Sequence, residues 1–202
     1  MTEILGTIGY AEVVQKYAKA TKSIAFEVLH RDFLDFIPNN KGLILDVGAG
    51  IGRDAYVLAK KGHKVIAVEP LKEFRIEGSR TYKLTNVKWV DDSLPTLNQL
   101  NKYENKFDFV LASGVWHHLD EVEQVHAMSK ISYLLKPKGT FALSLRNGPA
   151  GMGTHIFSID VQKTIKNAES CNLTSRMVLK NQPSLMKNKE NVKWSRLVFQ
   201  KL

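Results

Sequence analysis

A chain of 202 residues accommodates one domain of the larger sort and no second full one, so any active site is built on a single core. Hydrophobic residues at 44% and charged residues at 24% exclude a disordered or fibrous chain. Apolar runs such as Leu43-Ile44-Leu45 fall far short of the roughly 18 residues that cross a bilayer, which excludes a transmembrane helix. Of the 29 basic and 20 acidic residues behind the net charge of +9, nine Lys or Arg but only Glu169 and Glu190 fall in 161–202. This basic end would suit nucleic acid, an acidic metabolite or a plain solvated face. Glu3 and Glu12 interrupt the start, no apolar segment with a cleavage site follows, and one cysteine, Cys171, cannot close an internal disulfide. A reducing cytoplasm is the expected compartment.

In chain order, apolar residues from Ala11 through Val14, Tyr17, Ala25, Phe33 and Phe36 approximate helical spacing up to Pro38-Asn39-Asn40, and predict one long or broken helix over the first 40 residues. A strand at 43–47 leads to a helix at 53–61, and a strand at 64–68 to a helix at 71–83. A strand at 87–90, a short helix at 94–101 and a strand at 107–112 follow. A helix at 121–135 is stopped by Lys136-Pro137-Lys138-Gly139, and a strand at 140–145 precedes the glycine-rich loop 147–153. Ser158 is expected to cap a helix running to about Glu169, and two strands near Arg176 and Val192 close the chain. The alternation predicts an α/β fold with a parallel sheet covered on both faces, as one domain over 1–202 in which a leading helical lid, 1–40, precedes the core, 41–202.

The run Leu43-Ile44-Leu45-Asp46-Val47-Gly48-Ala49-Gly50-Ile51-Gly52-Arg53-Asp54 carries the strongest chemical signal, an apolar strand entering three glycines and then a helix. Glycines let the backbone approach a ligand, and the helix start presents free N–H groups. A dinucleotide site would place its third glycine where Arg53 stands. Asp46 at the strand end would repel a pyrophosphate and suit an ammonium group. Glu69, in Val-Glu-Pro70 at the end of the next strand, can accept both hydroxyls of a ribose. Asp91-Asp92 directly follow the third strand, where one carboxylate can accept from an adenine amino group. No third ligand accompanies the neighbouring His117 and His118, so no metal site is expected.

Together these residues resemble the class I S-adenosylmethionine-dependent methyltransferases over about Leu43 to Leu145, and more narrowly small bacterial members of unassigned substrate. The resemblance implies a doubly wound, Rossmann-like, seven-stranded sheet of order 3-2-1-4-5-7-6 with strand seven antiparallel, and S-adenosyl-L-methionine as cofactor. It assigns Asp46, Gly48, Ala49, Gly50, Gly52 and Arg53 to the surroundings of the methionine moiety and Glu69-Pro70 to the ribose. Asp92, Ser93 and Leu94 fall to the adenine, and Ser113, Gly114 and Val115 to the segment after strand four. On the acceptor side, Trp116 is expected to wall the methyl channel, with Tyr17, Arg146 and Asn147 in the substrate pocket and His117 as a catalytic base. The absence of an Asn-Pro-Pro-Tyr-type run after strand four disfavours amino methylation of nucleic acid, and the position of Cys171 disfavours carbon-5 methylation. The expected partner is a small-molecule acceptor. An RNA acceptor held by the basic end, or a non-catalytic cofactor-binding partner subunit, are the rivals.

Overall fold

The structure, a computed structural model, describes residues 4–186 and 188–202. Seven strands form one sheet in the order β3-β2-β1-β4-β5-β7-β6. They are β1 (Leu43–Val47), β2 (Lys64–Val68), β3 (Val87–Val90), β4 (Phe107–Ser113), β5 (Leu135–Asn147), β6 (Leu173–Pro183) and β7 (Lys193–Lys201). The first five run parallel, and β7 inserts antiparallel between β5 and β6, with Phe141 opposite Phe199. Strands β1, β2 and β4 are nearly continuous apolar runs because a helical layer buries each of their faces.

Side-chain alternation sorts the core into two layers. Leu45, Val47, Ile66, Val68 and Val110 face one side, where they meet α5 (Glu121–Leu134) and α6 (Val161–Ser170). Ile44, Val65, Ala67, Phe109 and Leu111 face the other, against α3 (Arg53–Lys60) and the leading residues Phe26 and Phe33. A third, smaller cluster joins Ala18 of α1 (Val14–Lys22) to Ile51 and to Phe74 of α4 (Lys72–Thr81), with Tyr10, Tyr17 and Leu71 packed on it. This cluster holds the leading segment over the carboxyl ends of the strands. A buried polar group fixes its far end: His30 bonds Asp54 at 2.8 Å, and Asp54 also accepts from Arg53 Nε at 2.6 Å.

Several boundaries differ from those the sequence predicts. The leading segment is broken into α1, a one-turn α2 (Phe26–Leu29) and three short 3-10 turns, because Ser23 ends α1 with its hydroxyl on the Ala20 carbonyl. The expected helix at 94–101 is instead a 3-10 turn at Asn98–Tyr103: Leu97 takes a left-handed φ of 45°, which breaks any earlier helical run. The cap of α6 is Asp160, not Ser158, since its carboxylate accepts the N–H groups of Gln162 and Lys163. Asp120 and Glu123 form a reciprocal capping box at the start of α5. Among the described residues no helix is long and apolar enough to cross a membrane.

Candidate functional site

At the carboxyl ends of β1, β2, β3 and β4 lies a cavity of about 500 Å³. Its floor is the turn after β1. Gly48 and Gly50 adopt φ of +67° and +55°, conformations that other residues rarely hold. A Cβ on Gly48 would lie 2.8 Å from Val115, and one on Gly50 would lie 2.8 Å from the Tyr17 hydroxyl, so the turn is also sterically closed to side chains. Glu69 at the end of β2 is buried beneath this turn, with Gly50 N–H donating to Oε2 and Leu71 N–H to Oε1, both at 2.9 Å. Burial pushes its carboxyl up to about 7 despite those donors. Each oxygen keeps one lone pair for a ligand. Asp92, Ser93 and Leu94 line the far end with Leu71 and Phe74, and the residues at 4–7, Tyr10 and Tyr17 form the roof. Asp92 is held in place by accepting Ser93 N–H at 2.9 Å and Gln99 N–H at 2.7 Å.

A second cavity of about 270 Å³ lies on the other side of Tyr10, Tyr17 and Gly114, residues that line both. Ser113, His117, Ser144, Arg146, the loop residues Gly151 to Gly153, Trp194 and Arg196 enclose it. The Ser144 hydroxyl accepts Gly114 N–H at 2.9 Å and donates to the Ser113 hydroxyl at 3.5 Å, which locks the junction between the two cavities. Tyr17 stacks on Phe74 at 4.5 Å and meets Tyr10 edge-on at 5.6 Å. Burial pushes both hydroxyls above their ordinary range, so they remain protonated donors.

The two histidines divide between the cavities. His118 lines the first, where its Nδ1 donates to the His155 carbonyl at 2.6 Å, leaving Nε2 to accept from the Tyr10 hydroxyl at 3.3 Å. His117 lines the second, is 95% buried, and its Nδ1 has no partner among the described residues. Burial, with the adjacent His118 and Arg146, pushes its pKa down to about 2. It is therefore a neutral imidazole of very low basicity.

Of the residues the sequence singles out, Gly48, Gly50, Glu69, Pro70, Asp92, Ser93, Leu94 and Val115 converge on the first cavity. Tyr17 and Gly114 line both cavities, and Arg53, Ser113, His117 and Arg146 line the second. Asp46, Ala49 and Gly52 line neither. Strand alternation turns Val47 toward the cavity and Asp46 beneath the turn, beside Asp54 and Arg53, where burial followed by the Asp54 charge pushes its carboxyl well up. Ala49 instead ties the turn to β2 through its N–H on the Val68 carbonyl, and Gly52 faces the Trp89 ring, which a Cβ would approach to 2.7 Å.

Two acceptor-side expectations need correction. Trp116 walls no channel: it is fully buried in the core against Phe141, because the turn after β4 swings it under the sheet. Asn147 lies in neither cavity, since both ends of its amide are engaged by the Ile159 backbone at 2.8 and 2.9 Å. It fixes the base of the 148–153 loop. The sequence reading weighed His118 only as a metal ligand and missed His155, Phe74 and Trp194, which come from three distant segments and carry no motif. Among the described residues no group of three or more His, Cys, Asp or Glu is placed to hold a metal ion.

Both cavities lie at the carboxyl edge of a doubly wound sheet, the place where open α/β sheets bind their ligands. Residues 44–139 match the family described as methyltransferase domain. The chain is 26% identical over 136 residues to an uncharacterized methyltransferase of Alkaliphilus oremlandii (strain OhILAs), a match covering 67% of this chain and 56% of that one. It thus spans little more than half the length of the curated relatives it matches. Two solved structures share the fold at a TM-score of 0.70 and 19% identity, each alignment covering 95% of this chain. One is the 1,6-didemethyltoxoflavin-N1-methyltransferase of Burkholderia thailandensis, with bound 1,6-didemethyltoxoflavin and S-adenosylhomocysteine, covered to 85%. The other is a TehB-like SAM-dependent methyltransferase of Corynebacterium glutamicum, covered in full at 100%. Over residues 44–139 the chain is thus similar to methyltransferase domains, and it shares its fold with S-adenosylmethionine-dependent methyltransferases.

Proposed function

We propose that the chain transfers a methyl group from S-adenosyl-L-methionine to a small-molecule acceptor held in the second cavity. The observation that carries this reading is the shared wall: a cofactor-sized space and a smaller one meet at Tyr10, Tyr17 and Gly114. The first cavity fits the cofactor by its own chemistry. Gly48 and Gly50 leave the backbone bare where a Cβ would collide, Glu69 offers two acceptor oxygens at the end of β2, and the Asp92 to Leu94 turn closes the other end. When bound, S-adenosylmethionine supplies a methyl group on a positively charged sulfur.

The work left to the protein is alignment and exclusion of water, and holding two reactants at attack distance is worth roughly 7–11 kcal/mol in well-oriented cases. Tyr10 and Tyr17 on the leading segment act as a lid, fixed by the Phe74 stack and the His118 bond. Residues 4–22 are in this reading the closing element over a core that begins with β1. His117 serves as a neutral wall of the acceptor cavity, since its low basicity suits it poorly for taking a proton. No base is needed if the acceptor arrives deprotonated.

An RNA acceptor is less well supported. Three of the basic residues of 161–202 are engaged with the protein itself: Lys163 pairs with Glu121, Arg196 is buried beside Asp32, and Lys201 donates to the carbonyls of Ser132 and Leu135. A partner subunit without activity would have no use for a second cavity sharing a wall with the first. The single free cysteine, Cys171, agrees with action in the cytoplasm. The test is incubation of the full chain with tritium-labelled S-adenosylmethionine and either a small-metabolite extract or bulk RNA. Label in the small-molecule fraction supports the reading, and label confined to RNA overturns it.

A further inference from the structure

The second cavity has an unusual electrostatic composition. Among the described residues, three arginines and a lysine, Arg53, Arg146, Lys189 and Arg196, line it, and no Asp or Glu does. Two of the arginines are already neutralised from behind, Arg53 by Asp54 at 2.6 Å and Arg196 by Asp32 at 3.5 Å. Arg146 is different. At the end of β5 its guanidinium donates only to the Gly148 and Pro149 carbonyls, at 3.4 and 2.6 Å, and no carboxylate pairs with it among the described residues. It is half-buried, so its charge is poorly screened. That charge reaches Tyr10 at the junction with the first cavity, as well as His117 beside it.

The rest of the lining is mainly apolar, with Ile24, Leu29, Met152, Val192 and Trp194, beside the hydroxyls of Thr21, Ser113, Ser144 and Ser184 and the rings of His30 and His117. A cavity with an apolar body and one unpaired guanidinium selects a ligand of the same pattern, because the fork of N–H donors matches a planar or tetrahedral oxyanion and a neutral group would leave the charge desolvated. We infer that the methyl acceptor is a small amphipathic anion, a carboxylate or phosphate monoester on an apolar frame, whose anionic group sits on Arg146 while its nucleophile faces the Gly114 junction. This rests on the reading of the second cavity as the acceptor site. Arg146 is then a specificity-determining residue, and Lys189 at the rim adds attraction without a fork.

The experiment is calorimetric titration of the full chain saturated with S-adenosylhomocysteine, using 3-phenylpropanoate, phenyl phosphate and the uncharged 3-phenylpropanamide as probes. One anion or both should bind at least tenfold more tightly than the amide, and which of the two does so tells carboxylate from phosphate. Arg146→Gln should erase that preference while S-adenosylhomocysteine affinity stays within twofold. Arg146→Lys, which keeps the charge and spares the loop contacts in part, should retain a reduced preference. Equal binding of amide and acids, an unchanged preference in Arg146→Gln, or no binding of any probe to the saturated chain would each overturn the inference. Failure of S-adenosylhomocysteine itself to bind would instead overturn the underlying reading of the first cavity, so the two failures are distinct.

Discussion

Glu69 gives the account a quantitative handle. Its carboxyl is pushed up to about 7 by burial, although it accepts two backbone N–H groups. Ribose hydroxyls donate to the ionised form, so a bound cofactor favours loss of the proton. Affinity should therefore be constant above the free-protein value and fall as pH drops through 7, by up to tenfold per unit, since one pKa unit corresponds to about 1.36 kcal/mol. Between pH 8 and pH 5.5 the loss should reach roughly 30-fold, or about 2 kcal/mol, provided the bound carboxyl lies below that range. Titration of S-adenosylhomocysteine at several pH values measures this directly. Glu69→Gln is the control. It keeps the shape, loses the two charge-assisted hydrogen bonds worth about 1.5–3 kcal/mol each, and should bind weakly at all pH values with no slope. A flat profile in the unaltered protein, or the same slope in Glu69→Gln, would refute the role of this carboxylate.

Further outcomes follow from the same geometry. Gly50→Ala places a Cβ 2.8 Å from the Tyr17 hydroxyl at a φ of +55°, and denaturant unfolding should show a loss of about 1–2 kcal/mol from the backbone alone, together with weaker cofactor binding. His117→Asn should leave turnover within a few-fold, with no inflection of the pH–rate profile near 6.5; a drop of about 10²–10⁴ would reinstate the histidine as a base. Asp54, held below the usual carboxylate range by His30 and Arg53, stabilises the fold above its unfolded value near pH 4 and ceases to do so as pH falls through its lower folded value. Asp54→Asn should accordingly cost about 3–5 kcal/mol at neutral pH, read as a lower denaturation midpoint.

The alternation of strands and helices and much of the first cavity were legible because they depend on local signals, whereas the strand order came from the resemblance. The β1 strand, its glycines and Glu69 lie within one βαβ unit, and chain alternation places them together without reference to anything distant. The resemblance supplied what alternation alone does not, the antiparallel insertion of β7. Asp46 shows the limit of position as a guide. It occupies the residue before Val47 and so points to the opposite face of the sheet, although a reading by sequence distance puts both beside the ligand. Trp116 and His118 show another limit. They are two residues apart, yet the tight turn at Trp116–His118 buries one under the sheet and presents the other to the cavity. The second cavity was the least legible part. It is assembled from the leading segment, β4, the 151–153 loop and β7, and nothing in a linear pattern brings Arg146 opposite Tyr10.

The most direct test of the central claim is a crystal structure of the full chain with S-adenosylhomocysteine. The account predicts the ribose hydroxyls within hydrogen-bond reach of Glu69 and the base beside Asp92 to Leu94. The sulfur should lie at Gly114, facing the cavity lined by Arg146 and His117. A ligand whose sulfur points away from that cavity, or one seated outside the space between Glu69 and Asp92, would contradict it.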